Sequence, residues 1–104
     1  MANWIKLTPV AAVPQDKLTR FKASDQAFVV LRRGDTFYCF TDLCSHMDVP
    51  LSKGEVNGPE LICKAHGARF DLETGKALCL PATSPIEKIP TKVEHGDLWI
   101  DWTS

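Results

Sequence analysis

Two short stretches of the chain each carry one cysteine and one histidine. Cys44 and His46 form the first pair, Cys63 and His66 form the second, and residues 47–62 lie between them. Thiolates and imidazoles bind zinc, and four such ligands in any order can surround a single zinc ion. A two-iron cluster makes a different demand, because two ligands must reach each iron. One cysteine and one histidine in each loop satisfy this requirement if the two cysteines bind one iron and the two histidines bind the other.

Short β-strands are predicted on both sides of these loops. Glycine-bearing turns join antiparallel strands because glycine adopts positive φ without steric cost. Such turns are indicated at residues 32–35, 57–60, 73–76 and 94–97. Between them lie the β-favouring segments QAFVVLR, TFYCFT, ELICK, ARFDL and LWIDW. The spacing therefore indicates antiparallel strands rather than helices.

The last segment alternates in the manner of a strand with unlike faces. Leu98, Ile100 and Trp102 fall on one face, while Trp99 and Asp101 fall on the other. The chain also has 7 prolines, which disfavour long helices. We predict an all-β fold, a small antiparallel β-sandwich or barrel, with an insertion at about residues 41–82 that carries the cysteines and histidines.

Length and composition limit the organisation and the partners. A chain of 104 residues fits one domain, residues 1–104, with 44% hydrophobic and 24% charged residues. The net charge of −1 gives no basic face for nucleic acid. No signal peptide and no stretch of ~20 apolar residues is present, so neither export nor a membrane span is predicted. We expect a cytoplasmic protein, in which cysteines serve as metal ligands more often than as disulfides.

The four-residue pattern resembles the Rieske family, in which Cys-x-His and Cys-x-x-His loops bind one [2Fe-2S] cluster. The resemblance implies a Rieske fold and assigns Cys44 and Cys63 to the inner iron and His46 and His66 to the outer one. Gly67 matches the glycine after the second histidine. The segment FDLETGKALCLPA is similar to the strand and covering loop of Rieske ferredoxins. Its residues Leu80, Pro81 and Ala82 would shield the cluster.

Departures from the respiratory Rieske proteins indicate the subtype. Val49 and Ala65 replace the cysteines that form a disulfide between the loops in those proteins. Ala68 and Phe70 replace a serine and a tyrosine that donate hydrogen bonds to sulfur and raise the potential. The resemblance therefore implies a potential at the lower end of the ~−150 to +300 mV Rieske range.

Coordination closed by four protein ligands leaves no position for a substrate, so we expect an electron carrier and not an enzyme. The resemblance implies the soluble ferredoxin of a multicomponent aromatic-ring-hydroxylating dioxygenase of the naphthalene, biphenyl or carbazole type. Its partners would be a flavin-dependent ferredoxin reductase and a terminal Rieske non-haem iron oxygenase, and the ferredoxin itself would be a monomer. Two alternatives remain open: the small subunit of an assimilatory nitrite reductase, and a zinc-stabilised binding module without redox activity.

Partners would dock over the histidine-bearing tip, formed by Met47, Asp48, Lys64, Gly67 and the Leu80–Pro81 loop. Met47 and Lys64 are atypical of dioxygenase ferredoxins, which commonly have glycine and proline there.

Several other residues have simpler interpretations. Cys39 and Cys79 lie among apolar residues, which is typical of buried thiols. His95 lies in a turn and is interpreted as a solvated residue. Asp42 and Asp48 flank the first loop as solvated charges, with steering of a basic partner as the alternative. Core or rim packing is expected for the tryptophans, Trp4, Trp99 and Trp102.

Overall fold

The computed structural model describes residues 3–43, 50–64, 67–78 and 84–103. In these ranges the strands form three antiparallel sheets. The first sheet, in the order β1-β10-β9, contains β1 (Trp4–Pro9), β10 (Asp97–Asp101) and β9 (Thr91–Glu94). The second, in the order β2-β3-β4-β8, contains β2 (Thr19–Ala23), β3 (Gln26–Arg33), β4 (Thr36–Thr41) and β8 (Lys88–Ile89). The third, in the order β5-β6-β7, contains β5 (Glu55–Asn57), β6 (Glu60–Ile62) and β7 (Arg69–Asp71). The predicted all-β class is confirmed.

The second sheet is the middle layer, because its strands contribute to two separate cores. Along β3, Phe28 and Val30 pack with Leu98 and Ile100 of the first sheet. The alternate side chains of the same strand pack with residues of the third sheet; they are Val29 and Leu31. A strand buried on both faces reads as a continuous apolar run, which explains the FVVL sequence at positions 28–31.

The third sheet arises between two strands that are neighbours in the second sheet. β4 pairs with β8 through Cys39↔Ile89 and Phe40↔Lys88, although residues 42–87 separate these strands in sequence. β5, β6 and β7 all lie within that interval. The topology therefore has the form of an insertion that leaves and re-enters the middle sheet.

The predicted turns occur where glycine was expected to allow them. Positive φ is found at Gly34, Gly58, Gly75 and Gly96. These glycines lie in the turns that follow β3, β5, β7 and β9, in that order. The β2–β3 turn was not predicted because it contains no glycine. Its two residues, Ser24 and Asp25, have φ of 49° and 60°.

Other local features agree with the sequence patterns. In β10 the buried residues are Leu98 and Ile100, as the alternation indicated, and Trp102 packs against the same core. Helix is limited to two 3-10 turns, Val10–Ala12 and Leu51–Lys53, within the described ranges. In those ranges no helix has the length and apolar character needed to cross a bilayer.

Candidate metal centre

Cys63 directly follows β6 and is fully buried. Its backbone N–H donates to the carbonyl oxygen of Ala68 at 2.7 Å, so these two residues, which flank the second Cys/His loop, are joined by a hydrogen bond. Cys63 belongs to the apolar cluster between the middle and third sheets, together with Leu61, Ala68 and Phe70. The second Cys/His loop is thus built on a hairpin strand that is anchored in the core.

The other three predicted ligands, Cys44, His46 and His66, lie outside the described residues. The same holds for further residues to which the sequence assigned a role, namely Met47, Asp48, Val49, Ala65, Cys79, Leu80, Pro81 and Ala82. The complete ligand set therefore stays a prediction. What the structure describes is the scaffold from which the two loops arise.

Asp42 corrects one sequence-based interpretation, because it is not a solvated charge. It is 6% exposed, with a side chain that is fully buried. Its carboxylate accepts hydrogen bonds from the backbone N–H and the hydroxyl of Ser52, each at 2.7 Å. Arg20 Nε lies 3.6 Å from Asp42 Oδ2. A buried carboxylate needs such partners, and the donors come from residues that are distant in sequence, so local sequence gave no sign of them.

The end of the first loop also contacts the strand of the second. A Cβ placed on Gly54 would lie 2.1 Å from the carbonyl oxygen of Ile62. Glycine is needed here for space, since its backbone has no positive φ. The residue after Ile62 is Cys63, so the two loops share a contact at their bases.

An open cleft of about 370 Å³ lies beside Cys63. Among its lining residues, Lys64 and Gly67 are exposed, as predicted for the surface next to the second histidine. The remaining lining residues are Lys53, Gly54, Glu55 and Ile62. Solvent therefore reaches this side of the second loop, while Cys63 itself remains covered.

The described scaffold fits an iron–sulfur cluster. Soft thiolate ligands bind Cu(I), zinc and iron–sulfur clusters, and Cys63 is fully buried in an apolar cluster. Ala68 and Phe70 are each fully buried in the same cluster and carry no hydroxyl group. The two side chains that the sequence analysis identified as unable to donate hydrogen bonds thus belong to the same apolar core as this cysteine.

The structure agrees with the sequence-based interpretations of Cys39, His95 and the tryptophans Trp4 and Trp102. Cys39 is a buried free thiol, and burial raises its pKa to about 12. His95 is exposed in the turn between β9 and β10. The tryptophans pack at the chain ends: Trp102 meets Phe28 edge-to-face at 5.1 Å, and Lys92 Nζ lies 4.7 Å from the Trp4 ring centre.

A polar contact between the middle sheet and the turn after β7 was not predicted. Tyr38 donates a 2.8 Å hydrogen bond to Glu73 Oε1, and this bond raises the pKa of Tyr38. Lys88 donates to the backbone oxygen of Glu73 and lies 5.7 Å from the Tyr38 ring centre. A charged residue within a predicted turn gives no sign of such a partner, because the pairing depends on how the third sheet folds back.

Comparison of the chain with known proteins identifies its family. The sequence model of the Rieske [2Fe-2S] domain matches residues 3–90. The chain belongs to the Rieske [2Fe-2S] domain family. The Rieske protein is 41% identical over 100 residues to the 3-phenylpropionate/cinnamic acid dioxygenase ferredoxin subunit of Escherichia coli K12, with coverage of 95% of this chain and 93% of the relative.

Solved structures agree with this assignment. A ferredoxin of Sphingomonas yanoikuyae B1 superposes with a TM-score of 0.88 and 28% identity, covering 97% of this chain and all of that one. The ferredoxin in a complex of reduced oxygenase and oxidized ferredoxin of carbazole 1,9a-dioxygenase gives a TM-score of 0.83 and 27% identity. Coverage there is 94% of this chain and 92% of that chain.

Family membership decides between the cofactors that the ligand pattern left open. The protein is a Rieske ferredoxin that carries one [2Fe-2S] cluster, and its role is electron transfer and not catalysis. The zinc-stabilised module is therefore not supported.

Proposed function

We propose that this Rieske ferredoxin carries single electrons from a flavin-dependent, NAD(P)H-oxidising reductase to the terminal Rieske non-haem iron oxygenase of an aromatic-ring-hydroxylating dioxygenase. The observation that carries the proposal is the 41% identity to a dioxygenase ferredoxin subunit along 95% of the chain. A related ferredoxin fold occurs in complex with an oxygenase in the carbazole system. When bound, the cluster supplies a one-electron redox couple.

We assign four residues as the ligands of that cluster. Cys44 and Cys63 would hold the inner iron, and His46 and His66 the outer iron. Residues 1–104 would form one domain, with a cluster-binding subdomain at about 41–82. The burial of Cys63 supports the inner position of the cysteines. Cytoplasmic localisation and a monomeric state are part of the proposal.

Partners are proposed to dock over the tip that surrounds the histidines. Leu43 and Leu78 are 47% and 49% exposed. Leu43 immediately precedes Cys44. Leu78 donates its backbone N–H to the carbonyl oxygen of Arg69, and Arg69 directly follows the buried Ala68 in sequence. Exposed apolar side chains next to the ends of the two Cys/His loops suit a small, transient interface of under ~1,200 Å².

A charge placed in this surface tests the docking. Leu78→Asp should slow reoxidation of the reduced ferredoxin by its oxygenase at least about tenfold, because a desolvated carboxylate opposes apolar contact. Stopped-flow absorbance measures the rate. Val93→Asp is the matched control, since Val93 is 50% exposed on the first sheet, and we expect it to react like the wild type. Equal slowing in both variants, or slowing in Val93→Asp alone, contradicts the docking surface.

The cluster is tested separately by anaerobic redox titration followed by electron paramagnetic resonance. A rhombic Rieske signal in the dithionite-reduced protein supports mixed cysteine and histidine ligation. Loss of that signal in His46→Ala and His66→Ala, with retention in His95→Ala, supports the ligand assignment. A signal that survives either ligand substitution would refute it.

The nitrite reductase alternative predicts a different assembly. Its small subunit would bind a large sirohaem subunit stably, whereas a shuttle must leave each partner quickly. Co-purification of the tagged ferredoxin at native expression levels distinguishes them. Stable recovery of a sirohaem protein at one-to-one stoichiometry would favour the alternative, and release of the oxygenase during washing would favour the shuttle.

A further inference from the structure

Asp42 is a buried carboxylate that lies two residues before the first predicted ligand. Both of its oxygens accept hydrogen bonds from Ser52: the backbone N–H at Oδ1 and the hydroxyl at Oδ2, each at 2.7 Å. Hydrogen bonds to an ionised acceptor are about twice as strong as neutral ones, more so in a low-dielectric interior. Arg20 adds a longer contact of 3.6 Å from a side chain that is 46% exposed, so we assign most of the interaction to Ser52.

These bonds join the two ends of the first Cys/His loop. Asp42 is fixed to the middle sheet, because its backbone N–H donates to the carbonyl oxygen of Ala27 at 3.0 Å. Ser52 lies in the 3-10 turn Leu51–Lys53, and Leu51 is fully buried in the core. Residues 43–51, which include Cys44 and His46, therefore begin and end at positions held together by one carboxylate.

The same tie reaches the second Cys/His loop. Two residues after Ser52, Gly54 lies so close to Ile62 that a Cβ would approach its carbonyl oxygen to 2.1 Å. Ile62 ends β6 and is followed by the buried Cys63. A continuous line of contacts thus runs from Asp42 through Ser52 and Gly54 to the strand that presents Cys63.

We propose that Asp42 is a positioning residue for the cluster. By holding Ser52, it fixes the loop of Cys44 and His46 at one distance from the loop of Cys63 and His66. Fixed loops hold four ligands in place before the cluster binds, which reduces the conformational entropy lost on binding and slows cluster release. This inference rests on the proposed ligand assignment. It gives the carboxylate a role beyond the stability of the fold.

The chain provides a matched control in the third sheet. Asp71 makes the same kinds of contact, because its carboxylate accepts the backbone N–H of Glu73 at 3.3 Å and the hydroxyl of Thr74 at 2.9 Å. That carboxylate closes a local turn instead of joining the ends of a Cys/His loop. Asp42→Ala and Asp71→Ala therefore remove the same kinds of hydrogen bond at two different places, although the bonds of Asp71 are longer and lie in an exposed turn. Ser52→Ala and Thr74→Ala each remove the hydroxyl donor alone.

The experiment measures iron release from the purified holoprotein into a ferrous chelator, together with the electron paramagnetic resonance spectrum of the reduced protein. Removing residues that orient metal ligands commonly costs ~10–100-fold in metal affinity, so we expect about tenfold faster release in Asp42→Ala. Ser52→Ala, which keeps the backbone bond, should show a smaller increase. Both variants should have shifted or broadened g-values. Asp42→Asn keeps an acceptor for the Ser52 N–H and should restore much of the retention.

The Asp71 and Thr74 variants should lower the melting temperature but release iron within about twofold of the wild-type rate, with unchanged g-values. The proposal is overturned if Asp42→Ala retains iron like the wild type, or if Asp42→Ala and Asp71→Ala differ from it equally. If Asp42→Ala does not fold, Ser52→Ala and Asp42→Asn give the same comparison. A wild-type protein without a Rieske signal would instead refute the cluster assignment, so the two failures are distinguishable.

Discussion

At the scale of single residues, the surroundings of Cys63 determine how the cluster would be tuned. Ala68 and Phe70 share the apolar core with this cysteine, and each is fully buried. Neither side chain can donate a hydrogen bond to sulfur. A hydroxyl donor at either position would stabilise the reduced cluster, because reduction adds negative charge, so alanine and phenylalanine there predict a low potential.

Introducing hydroxyl groups at these positions should raise the potential. The double variant Ala68→Ser and Phe70→Tyr carries hydroxyl groups at both positions. One well-formed hydrogen bond to charged sulfur contributes about 1.4 kcal/mol, which corresponds to a rise in the reduction potential on the order of 60 mV for one electron. Redox titration of the holoprotein measures the change.

Ala77→Ser provides the control for that titration. Ala77 packs against the same core and forms an isolated bridge with Phe70, but the sequence pattern gives it no place beside sulfur. We expect its potential to equal that of the wild type. An unchanged potential in the double variant would contradict the account of Ala68 and Phe70.

At the scale of elements, the hairpin turns show how local sequence limits the strands. Ser24 and Asp25 connect β2 and β3 with φ of 49° and 60°, and Ala23 pairs with Gln26 on either side. Two central residues with positive φ suit the twist of a hairpin. A non-glycine residue in this conformation is strained by about 1–2 kcal/mol, less when the residue is aspartate.

Asp25→Gly should therefore stabilise the protein. Glycine removes the steric strain but increases the entropy of the unfolded chain, so we expect a net gain of about 0.5 kcal/mol in the free energy of unfolding. Urea unfolding of the holoprotein measures it. Asp35→Gly is the control, because Asp35 lies in the β3–β4 turn without a positive φ and its replacement should be neutral or destabilising. A loss of stability in Asp25→Gly would show that the aspartate side chain makes a stabilising interaction at the turn.

At the scale of the whole molecule, the middle sheet divides the interior into two cores with different relations to the cluster. One core contains Cys63, Leu61 and Phe70. The other contains Leu98, Ile100 and Cys39. Leu61 and Leu98 are both fully buried, so substitutions at the two positions compare the cores directly.

Leu61→Ala and Leu98→Ala should each lower the free energy of unfolding by about 2–5 kcal/mol, because both leave a cavity. We expect iron release to accelerate in Leu61→Ala, since Leu61 precedes Cys63 by two residues on β6 and the following loop. Leu98→Ala should release iron at nearly the wild-type rate at temperatures well below its melting transition. Equal acceleration in both variants would indicate that cluster retention follows global stability instead of the core that contains Cys63.

The residue pattern alone predicted the class of fold and limited the metal centre to a [2Fe-2S] cluster or zinc. The spacing of Cys44, His46, Cys63 and His66 indicated the two-iron centre, because ligand type and order must match the two metal ions. The positions of glycine and the period-2 alternation indicated the short strands, because both follow from local backbone preferences.

Which polar residues act together depends on contacts that form only in the folded protein. Asp42 looked like a solvated acid, yet it is buried against Ser52, and Tyr38 meets Glu73 across 35 positions. Gly54 has an ordinary backbone, and its requirement for glycine arises from Ile62. Such contacts depend on how the inserted sheet folds back onto the middle one, and a linear pattern of residues does not encode the distance between side chains far apart in the chain.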